Sequence, residues 1–251
     1  MNGCLLLRLF NGWGAWGDMK ILAVETATRC HSVAIVDDDQ VLAQDTHPDC
    51  MSHASALVPA IDRLLQSLGL TVRQLDGLAV SVGPGAFTGL RVGLATMMGF
   101  RLATQLPLVL VPTLEAMAWN MRGEARPICP VLRASRREVY WAVFQWKSSR
   151  LVRLTDDYCG PLCQLVDSIE NETVLFGEGW MTHAVELGAV LGEKAVPGPE
   201  EAMQPSAMSV AFASLSSFRA RQYAGERLSP RYVQRAEAEV QWEIRAREAS
   251  L

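Results

Sequence analysis

Ser81-Val82-Gly83-Pro84-Gly85-Ala86-Phe87-Thr88-Gly89-Leu90-Arg91-Val92-Gly93 reads as the end of a buried strand, a glycine-rich turn and the start of a small-residue helix. Such a turn offers free backbone N–H groups at a helix N-terminus, which is a natural anion site. Two phosphate motifs fail here. A P-loop requires Gly-Lys-Ser/Thr, whereas Gly89 is followed by Leu90-Arg91. The dinucleotide fingerprint requires G-x-G-x-x-G, and Gly83, Gly85 and Gly89 are one residue too widely spaced. Pro84 also removes one donor. The stretch is therefore read as a packing and interaction platform.

The helix launched by this turn is expected over Thr88–Gln105. Gly89, Gly93, Thr96, Gly99 and Ala103 form a small-residue stripe along it. Each helix glycine costs roughly 1 kcal/mol relative to alanine, so close approach of another backbone is the compensating reason. Leu90, Leu94, Met97 and Arg101 form a second face. Packing on the chain's own sheet explains the stripe alone; two apolar-faced helices in one small lobe suggest an interface.

Upstream, Lys20–Glu25, Ser32–Val36 and Gln40–Gln44 read as a strand meander with an acidic turn at Asp37-Asp38-Asp39. Ser52 caps a helix to Leu68, with Leu57, Val58, Ile61, Leu64, Leu65 and Leu68 near one face. Strands at Leu75–Val82 and Leu108–Val111 flank the glycine turn and its helix. A helix follows from Pro112-Thr113 to Met121, then a linker at Gly123–Arg126.

The pattern then restarts. Ile128–Leu132 and Glu138–Trp146 read as strands, with a turn at Lys147–Arg150 and a returning strand. A helix is expected over Pro161–Ile169, a strand over Thr173–Phe176 ending in Gly177-Glu178-Gly179, and a helix over Trp180–Leu191. Glu193–Pro205 reads as a loop and Ser206–Tyr223 as a long helix. An α/β pattern seen twice predicts two lobes with mixed sheets; one larger sheet is the alternative. The expected division is an extension at 1–18, a first lobe at 19–122, a second at 123–225 and a tail at 226–251, with Met19 as the natural domain start.

The chain has 251 residues, 49% of them hydrophobic, and a net charge of -4, so no strongly basic face for nucleic acid is implied. Cys4, Cys30, Cys50, Cys129, Cys159 and Cys163 form no Cys-x-x-Cys pair. His31, His47, His53 and His183 lack a His-x-x-x-His spacing, so no metal is expected. No Gly-x-Ser-x-Gly elbow marks a serine hydrolase. No stretch is apolar enough for a bilayer, and a cytoplasmic location is expected.

Ile21-Leu22-Ala23-Val24-Glu25-Thr26-Ala27-Thr28, Ser32-Val33-Ala34 and the Ser81–Gly93 element together resemble the TsaB (YeaZ) family. Supporting matches lie at Arg136-Arg137-Glu138-Val139-Tyr140 and Ser229-Pro230-Arg231-Tyr232-Val233-Gln234-Arg235. The resemblance implies a two-lobed actin-like ATPase fold, related to ribonuclease H, with mixed sheets flanked by helices. It implies an accessory subunit, not itself catalytic, in the synthesis of N6-threonylcarbamoyladenosine at position 37 of ANN-decoding tRNAs. The implied partners are TsaD and TsaE, with a homodimer as a competing state and tRNA met only through the complex.

The implied docking surface is carried by the two helices and is placed on His53, Leu57, Ile61, Leu64, Gly89, Leu90, Gly93, Leu94, Met97 and Arg101. Glu25, Thr26, Thr28, Gly83, Gly85 and Thr88 mark a degenerate nucleotide-site turn. No cofactor is expected in the chain alone; ATP or ADP at the partner interface stays open. Two departures stand out. The family's first strand usually ends in Asp before Thr, where this chain has Glu25. The second lobe's Asp-Ala-Arg is replaced after Leu132 by Arg133-Ala134-Ser135. The alternative function is an independent actin-like ATPase or small-molecule kinase.

Overall fold

The computed structural model describes residues 19–47, 53–226 and 228–233. The expectations placed on the 1–18 extension, the Ser52 cap, Cys4, Cys50, Gln234, Arg235 and the rest of the tail lie outside these residues.

The chain builds two sheets of corresponding order. In the first, β1 (Lys20–Glu25) pairs antiparallel with β2 (His31–Asp37), which pairs with β3 (Gln40–His47). On its other side β1 pairs parallel with β4 (Gly77–Ser81), and β4 pairs parallel with β5 (Leu108–Val111). The order is β3-β2-β1-β4-β5.

The second sheet repeats this plan. There β6 (Ile128–Arg133) pairs antiparallel with β7 (Glu138–Trp141) and parallel with β11 (Thr173–Phe176). β10 (Tyr158–Pro161) and β12 (Ala195–Pro197) complete the order β10-β7-β6-β11-β12. A hairpin of β8 (Phe144–Lys147) and β9 (Arg150–Arg153) joins at β6.

Both faces of the first sheet are covered, which is why β1 is apolar at every position from Ile21 to Val24. Leu22 and Val24 face α1 (His53–Ser67) and α2 (Phe87–Thr104), in a core with Leu57, Ile61, Leu64, Leu94 and Met97. Ile21 and Ala23 face the opposite side, in a core with Ala116, Val210, Ala211 and Phe218. Successive side chains of a strand alternate faces, so a doubly covered strand loses the polar alternation. The second lobe has its own core around Trp141, Phe144 and Phe176, covered by α4 (Leu162–Asp167) and α5 (Glu178–Leu191). α3 (Thr113–Trp119) packs on α6 (Ala207–Arg219) and on β6.

Four readings are corrected. Glu138–Trp146 is two strands, broken between Trp141 and Phe144. The Glu193–Pro205 loop contains β12, a three-residue strand too short to leave a pattern. β10 precedes the helix expected at Pro161; it is an edge strand with Gly160 and Pro161 inside it, and neither residue signals a strand. The fourth concerns α6. Its sequence position assigns it to the second lobe, yet it packs on β1, β2, β4 and β5 of the first. It is the first lobe's second covering layer, delivered by the end of the chain.

The acidic turn is tied down by charge. Asp37 pairs with Lys20 at 2.8 Å, and Asp38 lies 3.7 Å from Arg219 of α6.

Candidate functional site

The glycine turn closes onto the turn that follows β1. Ala86 N donates to the Ala27 carbonyl at 2.6 Å. Gly83 N donates to Thr113 Oγ1 at 3.1 Å, and Thr113 N donates back to the Gly83 carbonyl at 2.9 Å. The Gly83–Pro84 bond is cis. A Cβ on Gly85 would strike the Ala27 carbonyl, so this residue is glycine because two backbones meet there. A Cβ on Gly93, two turns into α2, would strike Thr26 Oγ1. Gly93 thus admits the β1–β2 turn of the same lobe.

Glu25 lies beneath this contact, 1% exposed. Its Oε1 accepts from Ala27 N at 2.5 Å. Burial pushes its carboxyl up to about 7, against the opposing pull of the Ala27 amide, the Ser81 hydroxyl and the Thr26 amide. A buried acid, its proton held more tightly than usual, bonds back to the backbone of the turn. Thr26 and Thr28 are buried with it, Gly83 is buried and Gly85 half-buried, while Thr88 stands exposed on the first turn of α2. The six residues named from the sequence are thus brought to one place. Of the turn's first donors, the N–H groups of Gly83 and Ala86 are taken by Thr113 and Ala27, and Pro84 has none.

Most of the residues placed on the docking surface turn inward, Ile61 alone among the buried ones reaching an outward groove. Leu57, Ile61, Leu64, Leu90, Leu94 and Met97 are buried in the chain's own first lobe, as are Gly89 and Gly93. Arg101 is half-buried and donates to the Gly225 carbonyl at 2.8 Å. His53 is the first residue of α1. The physical reason is simple. Helical periodicity finds the apolar stripe, and the stripe of a helix on a sheet faces that sheet.

What the two helices leave outward is different. On α1 it includes Ser55, Val58, Pro59, Asp62, Arg63, Gln66 and Ser67; on α2 it includes Phe87, Thr88, Arg91, Ala95, Gly99, Leu102 and Ala103. Between them runs an apolar groove of about 350 Å³, lined by Val58, Pro59, Ile61, Asp62, Leu65, Val72 and Phe100. Val58 is 48% exposed and Leu102 is 73% exposed. Val58 falls within the apolar stripe that periodicity predicts as buried, while Leu102 and Phe100 lie off the two faces predicted for α2. An apolar residue out of phase with the stripe was the available signal.

Among the described residues no group of three or more His, Cys, Asp or Glu is placed to hold a metal ion. His31 stacks on His47 at 4.8 Å, and His47 meets Asp45 at 3.2 Å beside Arg63. Among the described residues no helix is long and apolar enough to cross a membrane.

Residues 43–242 match the family model described as TsaD: tRNA N6-adenosine threonylcarbamoyltransferase. The tRNA threonylcarbamoyladenosine biosynthesis protein TsaB of Escherichia coli (strain K12) is 32% identical over 200 residues, covering 73% of this chain and 84% of that protein. The protein of the same name from Bacillus subtilis (strain 168) is 28% identical over 227 residues, covering 89% of this chain and 98% of its own length. The solved structure of YeaZ from Pseudomonas aeruginosa superposes with a TM-score of 0.72 at 23% identity, covering 85% of this chain and 99% of that one. The fold is the two-lobed, actin-like arrangement of mixed sheets flanked by helices.

Proposed function

This chain belongs to the TsaB (YeaZ) family of tRNA threonylcarbamoyladenosine biosynthesis proteins, and from that membership we propose how it serves the modification: as a docking subunit that binds and activates TsaD without catalysing a step itself. The observation that carries the proposal is the outward side of α1 and α2, where an apolar groove lined by Val58 and Phe100 runs and where Leu102 stands exposed on α2. An exposed apolar face of this kind suits a helix-on-helix contact with a second protein. The closed glycine turn supports the non-catalytic part, because its Ala86 and Gly83 donors bind within the chain rather than pointing at a phosphate. TsaE and tRNA then meet this chain through the complex, in the cytoplasm, and any ATP or ADP binds where the partner completes a site.

The test is reconstitution of the tRNA modification with purified partners. Leu102→Glu and Val58→Glu are expected to abolish capture of TsaD and the dependent activity while leaving the circular dichroism of the isolated chain unchanged. Full capture by both variants removes this side of α1 and α2 from the interface. Loss of self-association alone assigns it to a homodimer. Turnover of Mg-ATP by the isolated chain overturns the non-catalytic reading in favour of an independent ATPase.

A further inference from the structure

Beyond α6 the chain leaves the first lobe's back layer and runs to the second lobe. Ala224 N donates to the Leu108 carbonyl of β5 at 2.8 Å, and Arg101 of α2 holds the Gly225 carbonyl. Leu228 packs on the first lobe's core. Arg231 N donates to the Val82 carbonyl at 2.7 Å, and the Arg231 carbonyl sits 2.6 Å from where a Cβ on Gly83 would stand. The Tyr232 ring stacks on Phe87 at 5.0 Å, and its hydroxyl accepts from Arg91 Nε at 3.0 Å. The Arg91 guanidinium lies 3.7 Å from the centre of the Phe87 ring. All of these grips are on the first lobe, and those of Arg231 and Tyr232 fall at the glycine turn and the start of α2.

The same short segment also grips the second lobe. Arg231 Nη1 lies 3.2 Å from Asp157 Oδ2, a charge contact rather than an aligned hydrogen bond. The Asp157 side chain is 0% exposed, and its Oδ1 accepts from Arg153 Nη1 of β9 at 2.5 Å. Val233 packs on the second lobe's core.

We propose that residues 228–233 form an interlobe clasp, which fixes the second lobe against the glycine turn and holds that turn shut from outside. The physical logic is joint release. Lifting Arg231 from the second lobe strips one of two cations from a buried carboxylate, which is strongly unfavourable. Lifting the segment from the first uncovers the Val82 carbonyl and breaks the Tyr232–Phe87 stack and the Arg91–Tyr232 hydrogen bond. One residue bridges both sides, so neither grip loosens without straining the other. The clasp stands independently of the docking reading, because it is measured on the isolated full-length chain.

Hydrogen exchange followed by mass spectrometry tests it, using Tyr232→Ala, Tyr232→Phe, Arg231→Met and Arg231→Lys. Tyr232→Ala is expected to speed exchange about tenfold at residues 83–91 and, although the stack and the hydrogen bond it removes are both on the first lobe, also at residues 154–158 of the second, since local opening follows cooperative units. Strand β1 is expected to keep its protection. Tyr232→Phe keeps the stack and is expected to behave almost as the parent chain, and Arg231→Lys to lie between Arg231→Met and the parent. Acceleration confined to residues 83–91 in Tyr232→Ala overturns the clasp, as does unchanged exchange in both segments. If Arg231→Met fails to fold, Tyr232→Ala decides alone, because Tyr232 is 43% exposed and its loss leaves both cores intact.

Discussion

The two lobes run the same topology past the same kind of turn and fill it with opposite chemistry. In each, a first strand pairs antiparallel with its successor and parallel with a strand that enters a glycine-led helix. In the first lobe the strand ends in Glu25, which is sealed under Ala27 and α2. In the second it ends in Arg133, whose side chain is 49% exposed and 3.7 Å from Glu178 of α5. The glycine turns behave alike in both. Gly85 lets the turn meet the Ala27 carbonyl, and Gly177 lets α5 begin against the Val131 carbonyl. Close backbone approach is thus a requirement of the fold, while a buried acid at the end of the first strand belongs to the first lobe alone. That difference makes the first lobe's turn responsive to pH.

The largest expected effect breaks the comparison at Glu25. Its folded value is raised from 4.5 to about 7, so the folded chain holds a proton that the unfolded chain releases. Below the unfolded value both states are protonated and the burial penalty is absent. As pH rises from there through about 7, stability falls, by on the order of 3 kcal/mol in all. Glu25→Gln is expected to match the parent near pH 4 and to exceed it by that amount at about pH 8 in urea titrations. Arg133→Gln, at the corresponding place, is expected to show no such pH-dependent gain. Equal pH profiles for the parent and Glu25→Gln would falsify the buried-acid account.

Next in size is Gly93→Ala. The added methyl meets Thr26 Oγ1, and overpacking of this kind is expected to cost about 2 kcal/mol. Gly99, six residues along the same helix, and Gly188 of α5 have nothing within 4 Å of an added Cβ. Alanine at either is expected to raise stability by roughly 1 kcal/mol, visible as a higher melting temperature. A neutral result at Gly93 would separate the helix from the β1–β2 turn and leave its small residues unexplained. The smallest effect belongs to the exposed pair of the second lobe. Arg133→Ala is expected to change stability by under about 0.5 kcal/mol, as surface ion pairs do, and to lose even that in high salt.

Much of this was legible in the chain. The continuous apolar run from Ile21 to Val24 announces a strand covered on both faces, and the restart at Ile128 announces the second lobe. The failure of Gly83–Gly89 to match either phosphate motif agrees with a turn whose Ala86 and Gly83 donors are used internally. Most of the residues placed on the docking surface are buried within the lobe, because amphipathicity names the apolar stripe that faces the chain's own sheet. Val58 and Leu102 are legible only once the helices are seated on their sheet.

Local pattern by itself determined the elements and their repetition, since burial on one or two faces writes a period into the residues that form them. Tertiary structure alone decided where distant pieces go. It placed α6 on a sheet from the other end of the chain, put Thr26 against Gly93, and carried Arg231 to Asp157. These contacts join residues far apart in sequence, and no local periodicity records a partner that only the folded chain brings near.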